Sequence, residues 1–191
     1  MTIVEQPSDQ WIADRTDKFA HGYVPTYRRI ARQLGLSAAV CEIGTWRGGS
    51  LEVWREMFPA GLIVGVDIDP HAVWPDGTVK VVSDQASPNL PGELTDVLHR
   101  GGRTAFDMIV DDAGHNGVLS AETFRLTWPL VRPGGFWVLE DWFVGLPEMQ
   151  YLGFGPSMLR LAESFLSLLT ETGDVEDIHY RHALAVLRKK A

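Results

Sequence analysis

Short apolar runs alternate along this chain with stretches whose apolar residues recur every three or four positions. The run Ala39-Val40-Cys41-Glu42-Ile43 reads as a buried strand, and positions 62–66, 79–82, 106–110 and 136–139 repeat the pattern. Runs this short with no polar face suit a parallel sheet covered on both sides. Between them, Val24, Tyr27, Ile30, Ala31 and Leu34 share one helical face that Gly35 ends. Leu51, Trp54 and Phe58 mark a helix stopping before Pro59, and Leu94, Val97 and Leu98 mark one stopped by Gly101-Gly102. Leu119, Thr123, Leu126 and Leu130 line a further helix that Pro133-Gly134-Gly135 is expected to break. A loop rich in Gly, Pro and aromatics covers 142–156, and a helix bearing Met158, Leu161, Phe165 and Leu168 follows it. Two tail strands, near 175–180 and 183–187, are too close for a crossover helix and should pair antiparallel. Residues 1–15 look loosely ordered. The expectation is one α/β domain: an N-terminal segment over 1–35, then a core over 36–191 built on a mostly parallel seven-stranded sheet with helices on both faces.

Composition narrows the classes. A chain of 191 residues fits one domain with a sizeable core, and 45% hydrophobic residues are enough to fold. The net charge is −8, with no basic cluster before Arg188-Lys189-Lys190, which argues against a nucleic-acid partner. No apolar stretch reaches the roughly 18–20 residues that a membrane span needs. The N-terminus carries Glu5 and Asp9 and no signal core. A single cysteine, Cys41, excludes an internal disulfide and points to the cytoplasm. The many aromatics are compatible with a homodimer or a higher homo-oligomer.

The candidate chemistry sits where strands end. In an open parallel sheet, ligands bind beyond the carboxyl ends of the strands. The turn after the first strand, Glu42-Ile43-Gly44-Thr45-Trp46-Arg47-Gly48-Gly49-Ser50, lacks the Gly-x-Gly-x-x-Gly of a dinucleotide site. Trp46 stands where a pyrophosphate would pass, so a nucleoside without phosphate, S-adenosylmethionine, fits better. Gly44 allows a tight turn, and Gly48 and Gly49 leave room for ligand above the helix N-terminus. Glu42 is expected to meet the ligand's ammonium, Asp67 its ribose hydroxyls, and Asp84 and Gln85 its adenine edge. The full candidate cofactor set is Glu42, Gly44, Thr45, Gly48, Gly49, Ser50, Asp67, Ile68, Asp84, Gln85 and Asp111.

Asp111-Asp112 ends the fourth strand and Glu140-Asp141 the fifth, so these acids should converge. Like charges that close raise one another's pKa, and a hard divalent cation such as Mg²⁺ relieves the conflict. Three or four of these carboxylates are candidate metal ligands. His115, three residues on, is the candidate general base, since an imidazole titrates near neutrality. Tyr23 and Trp142 are candidate substrate contacts. The reaction these groups suit is methyl transfer to a cation-bound hydroxyl of a small molecule.

Several segments resemble one family: Thr16-Asp17-Lys18, His21-Gly22-Tyr23 and Tyr27; Glu42-Ile43-Gly44-Thr45 with Gly49-Ser50-Leu51 and Trp54; Gly65-Val66-Asp67-Ile68; Asp84-Gln85; the run Asp107 through His115; and Arg132-Pro133-Gly134-Gly135 with Glu140-Asp141. In this order they are similar to the macrocin and mycinamicin sugar O-methyltransferases and the cephalosporin-hydroxylase-like group beside them. The resemblance implies a Rossmann-like class I methyltransferase fold with a late hairpin and Mg²⁺-dependent transfer to a sugar hydroxyl of a glycosylated natural product. It implies Asp112, Glu140 and Asp141 as metal ligands and His115 as base. It also implies a lid role for the segment from Thr16 to Tyr27. The family's macrolide enzymes carry a longer N-terminal region, and Ala113-Gly114 stands where the family often has Gly-Ser. The alternatives are a metal-dependent hydroxylase, and methyl transfer to a carboxylate or phenol. Iron-dependent oxygen activation usually takes two His ligands, and the acid cluster offers one.

Overall fold

The computed structural model describes residues 6–170 and 173–191. The first five residues of the expected N-terminal segment, Glu5 among them, lie outside that range. Seven strands form one sheet in the order β3-β2-β1-β4-β5-β7-β6. The strands are β1 (Ala39–Ile43), β2 (Leu62–Asp67), β3 (Val79–Val82), β4 (Phe106–Asp111), β5 (Val131–Leu139), β6 (Val175–Arg181) and β7 (Leu184–Lys189). The first five pair in parallel, and β7 runs antiparallel to both β5 and β6, as the short tail spacing requires. The order reverses between β1 and β4, which puts a crevice at their carboxyl ends.

Successive side chains of a strand point to opposite faces. On one face Ala39, Cys41, Ile43, Ile109 and Leu139 pack under α4 (Leu90–Arg100), α5 (Gly117–Thr127) and α6 (Ser157–Ser164). On the other, Val40, Met108, Val110 and Val138 pack under α2 (Val24–Leu34) and α3 (Gly49–Met57). The helices end as their residues dictate: Gly35 turns away with φ 78° after α2, and Asn116 caps α5 by accepting from Val118 N and Leu119 N.

Two expectations need correction. Residues 1–15 are not uniformly loose: Asp9–Ala13 form a short helix, α1, which Ser8 caps and which buries Ile12. Pro133-Gly134-Gly135 does not break a helix. The α5 helix ends at Thr127, a 3-10 turn covers Trp128–Leu130, and the Pro-Gly-Gly stretch lies inside β5. The register between β4 and β5 slips there, which is how a strand accommodates a residue without an N–H. No helix among the described residues is long and apolar enough to cross a membrane.

Candidate active site

The crevice at the strand ends opens into a cavity of about 1030 Å³. Gly44, Thr45, Gly49, Ser50, Asp67, Ile68, Asp84, Gln85, Asp112, His115 and Asp141 line it. Four large apolar side chains, Phe19 (41% exposed), Trp46 (73%), Ile68 (67%) and Leu119 (38%), are left open on its walls. Exposed apolar groups around a concave site are what an organic ligand covers.

On the side of β1 and β2, the Asp67 carboxylate binds its own surroundings tightly. Its Oδ2 accepts from Thr45 N at 2.9 Å and Trp46 N at 3.0 Å, and its Oδ1 accepts from Asp69 N at 2.9 Å. Burial alone would raise its pKa, but these backbone donors hold it below the usual carboxylate value. Asp67 therefore stays charged and pins the glycine turn as well as lining the cavity.

The turn glycines serve chain crossings. A Cβ on Gly44 would strike the Asp112 carbonyl, one on Gly48 the Val73 carbonyl, and one on Gly49 the Arg15 carbonyl. Gly48, at φ 73°, does not line the cavity at all. The room expected for ligand above α3 is thus taken partly by the N-terminal segment, which Arg15 Nε to Glu52 Oε2 at 2.7 Å also fastens to α3.

Glu42 lies deeper than expected. It is fully buried, shares the α2/α3 face with Val40, and does not line the cavity. Its Oε2 accepts from the Ser50 hydroxyl and from Trp54 Nε1, so Ser50 braces Glu42 from the cavity wall. Gln85 is also a brace. Its amide donates to Thr123 Oγ1 at 3.0 Å and accepts from Gly114 N at 3.1 Å, fixing the loop that carries His115. Asp84 caps its own turn through Ala86 N at 2.8 Å. Asp111 faces the α5 side, where Ile109 also points, and is absent from the cavity lining. Burial pushes it up to about 6, against the Ser120 hydroxyl that bonds it.

The strand tips of β4 and β5 do meet, and they meet on a lysine. Lys18, 2% exposed, places its ammonium 2.8 Å from Asp112 Oδ2, 2.8 Å from Glu140 Oε2 and 3.2 Å from Glu42 Oε1. Burial opposes its charge, but the three carboxylates more than reverse this and hold its pKa well above the ordinary value. Tyr27 donates its hydroxyl to Glu140 Oε1, and Tyr23 donates its hydroxyl to Asp141 Oδ1. Burial, with Asp112 alongside, raises the Glu140 pKa; burial, reinforced by Glu42 and Asp141 against Lys18, pushes Asp112 up to about 6.

A second acid grouping remains beside this one. Asp112, His115 and Asp141 offer ligand atoms all within 4.8 Å of one another. His115 Nε2 lies 3.6 Å from Asp141 Oδ2, and His21 Nδ1 lies 3.6 Å from Asp141 Oδ1. Asp141 and His115 both sit at positive φ, 57° and 45°, which swings them toward the cavity out of the strand's alternation. This oxygen-rich set, with room beside it, fits a hard divalent ion. Glu140 differs from expectation, because both of its oxygens already have protein partners.

Two further expectations change. Tyr23 is 1% exposed with its hydroxyl given to Asp141, so it orients an acid and has no free edge for substrate. Trp142 packs with the α5/α6-side core and sets its ring edge-on to Tyr180, off the cavity wall. Lys18, Tyr27 and His21 fall in the segment expected to act as a lid, but no acid-binding role was expected of them. Their one signal was the charged and aromatic segment Lys18 to Tyr27 placed just before a buried strand.

Residues 41–142 match a family model described as a methyltransferase domain. Among curated proteins, the chain is 37% identical over 130 residues to the demethylmacrocin O-methyltransferase of Streptomyces fradiae, covering 63% of this chain and 32% of that one. It is 33% identical over 170 residues to an 8-demethyl-8-(2-methoxy-alpha-L-rhamnosyl)-tetracenomycin-C 3'-O-methyltransferase of Streptomyces olivaceus, covering 84% and 41%. The chain thus spans a third to two-fifths of these relatives. Among solved structures, the MycE methyltransferase of the mycinamycin pathway, in complex with Mg and SAH, superposes with a TM-score of 0.79 at 27% identity, over 98% of this chain and 56% of that one. The matched span, over half of the chain, takes in the end of β1, the glycine turn, Asp67, His115 and both acid pairs, and on that ground the chain belongs to the methyltransferase-domain family.

Proposed function

We propose that the chain acts as an S-adenosylmethionine-dependent O-methyltransferase, assisted by a divalent cation, on a sugar hydroxyl of a glycosylated small molecule. One observation carries the reading: Asp67, His115 and the Asp112/Asp141 pair open onto the same cavity. This supports a nucleoside site, a proton acceptor and a cation site sharing one space. The relatives point the same way, since those quoted are named as O-methyltransferases of natural products or their sugars.

S-adenosylmethionine supplies an electrophilic methyl group on sulfur. A divalent ion supplies Lewis acidity that favours the acceptor's alkoxide. Asp112 and Asp141 would hold that ion, with Glu140 as the third carboxylate behind them. The chain's own part is alignment and proton handling. Asp67 and the glycine turn shape the nucleoside end, and Trp46 and Ile68 offer it apolar walls. His115 Nε2, facing the acids, takes the hydroxyl proton, and Asp141 stabilises the resulting imidazolium. Past His115, the Phe154 ring stands 5.7 Å away edge-on and leads into a groove of about 560 Å³ bordered by Val118 and Arg160. An acceptor with an apolar body beside its sugar suits that groove. The net charge of −8 supports a small-molecule acceptor over a nucleic acid. The lone, buried Cys41 supports a reducing, cytoplasmic setting.

The test is methyl-labelled S-adenosylmethionine with a panel of glycosides, in Mg²⁺ and in EDTA. Label should reach a glycoside hydroxyl only with the metal. Full transfer in EDTA contradicts the cation's role, and turnover that needs iron and a reductant favours the hydroxylase alternative.

A further inference from the structure

Four carboxylates, Glu42, Asp112, Glu140 and Asp141, crowd the tips of β1, β4 and β5. They form two ligand-like triads that share Asp112: Glu42/Asp112/Glu140, and Asp112/His115/Asp141. The first triad is the more buried, and its members follow from strand alternation. Glu42, Asp112 and Glu140 each lie two residues beyond a side chain of the α2/α3-side core: Val40, Val110 and Val138. Left alone, three acids on one buried face would be costly.

The chain fills that triad itself. The Lys18 ammonium touches all three members at 2.8–3.2 Å. Glu42 Oε1 is buried and accepts no hydrogen bond among the described residues, and the Lys18 ammonium lies 3.2 Å from it. Tyr27 closes the far side through Glu140 Oε1. In the second triad Lys18 reaches only the shared Asp112, and among the described residues no lysine or arginine pairs with Asp141: it receives a neutral phenol from Tyr23, and its two flanking imidazoles stand 3.6 Å off.

We infer that Lys18 is a built-in monovalent occupant of the Glu42/Asp112/Glu140 triad, which limits the site to one exchangeable divalent ion, on the Asp112/Asp141 side. Lys18 is thus a positioning residue. It fixes the Asp112 carboxylate that both triads share, and through it the N-terminal segment is tied to the cation site. The inference rests on the cation reading given above.

The test counts ions. Mn²⁺ binding is followed by electron paramagnetic resonance and calorimetry on the wild type, Lys18→Met, Lys18→Arg and the double variant Lys18→Met/Glu42→Gln. The wild type and Lys18→Arg should bind one Mn²⁺ per chain, and Lys18→Met two. The double variant loses both the internal cation and one triad ligand, and it should return to one ion, bound more weakly than in the wild type because Lys18 no longer fixes Asp112. Since it also removes one buried charge of each sign, it remains informative if Lys18→Met alone does not fold. One ion in Lys18→Met, two in the wild type, or two ions or wild-type affinity in the folded double variant would overturn the role of Lys18. A wild type that binds no Mn²⁺ would instead overturn the cation reading itself.

Discussion

The two ends of the cavity are built in opposite ways. The end formed by β1, β2 and the glycine turn is local: Asp67 bonds residues two and about twenty positions away, mostly through backbone N–H groups. The acid end is assembled across the whole chain. Lys18 reaches Asp112 over 94 positions and Glu140 over 122, and Tyr23 and Tyr27 reach Asp141 and Glu140 over 118 and 113. Local bonds give a rigid shape that a turn sequence can specify. Long-range bonds make the acid end depend on how the N-terminal segment is seated. Under the proposed function, the first end would bind the donor and the second would carry the chemistry.

That division predicts that changes at the acid end destroy turnover and spare donor binding. Asp112→Ala should have the largest effect, lowering kcat by about a thousandfold or more, because it removes a carboxylate common to both acid triads. Affinity for S-adenosylmethionine, measured by calorimetry, should stay within a few-fold. His115→Ala should lower kcat by about a hundredfold, with pre-steady-state methyl transfer as the readout. Normal turnover in either variant breaks the division.

At the other end, Asp67→Asn should weaken donor affinity by about tenfold through lost charge-assisted hydrogen bonds. Its kcat at saturating donor should fall less than that. The smallest effect concerns Asp111, on the opposite face. Its folded pKa is raised from 3.8 to about 6, so its charge destabilises the fold above pH 6 and the penalty fades as it protonates. From this group alone, stability should rise by about 1 kcal/mol as pH falls from 7 to 5. Urea unfolding of the wild type and Asp111→Asn should show that slope flattened in the variant.

The same contrast explains what was legible in the sequence. Strands and helices followed from apolar periodicity, and the late antiparallel hairpin followed from the short gap between β6 and β7. Asp67, His115 and the cavity-lining turn residues could be placed because each sits at or a few residues beyond the end of a readable strand. Parity along the strands separates Asp111 from Asp112, yet two adjacent acids read as one cluster until the faces are assigned. Lys18 was hidden for a different reason: nothing near it in the chain calls for a buried ammonium, and its partners lie on strands that only folding brings together. Trp142 misled because the left-handed turn at Asp141 sends the next side chain into the core. The start of β5 misled because Pro-Gly-Gly signals a break, and here the break falls in a strand's register.

The account stands on the acid tips of β4 and β5 closing around one exchangeable cation beside the donor. Anomalous scattering from a crystal grown with Mn²⁺ and S-adenosylhomocysteine tests this directly. The predicted result is one manganese peak touching Asp112 and Asp141 at the edge of the nucleoside cavity, with Lys18 still held by Glu42 and Glu140. A peak in the place of the Lys18 ammonium, or no peak between those acids, would contradict it.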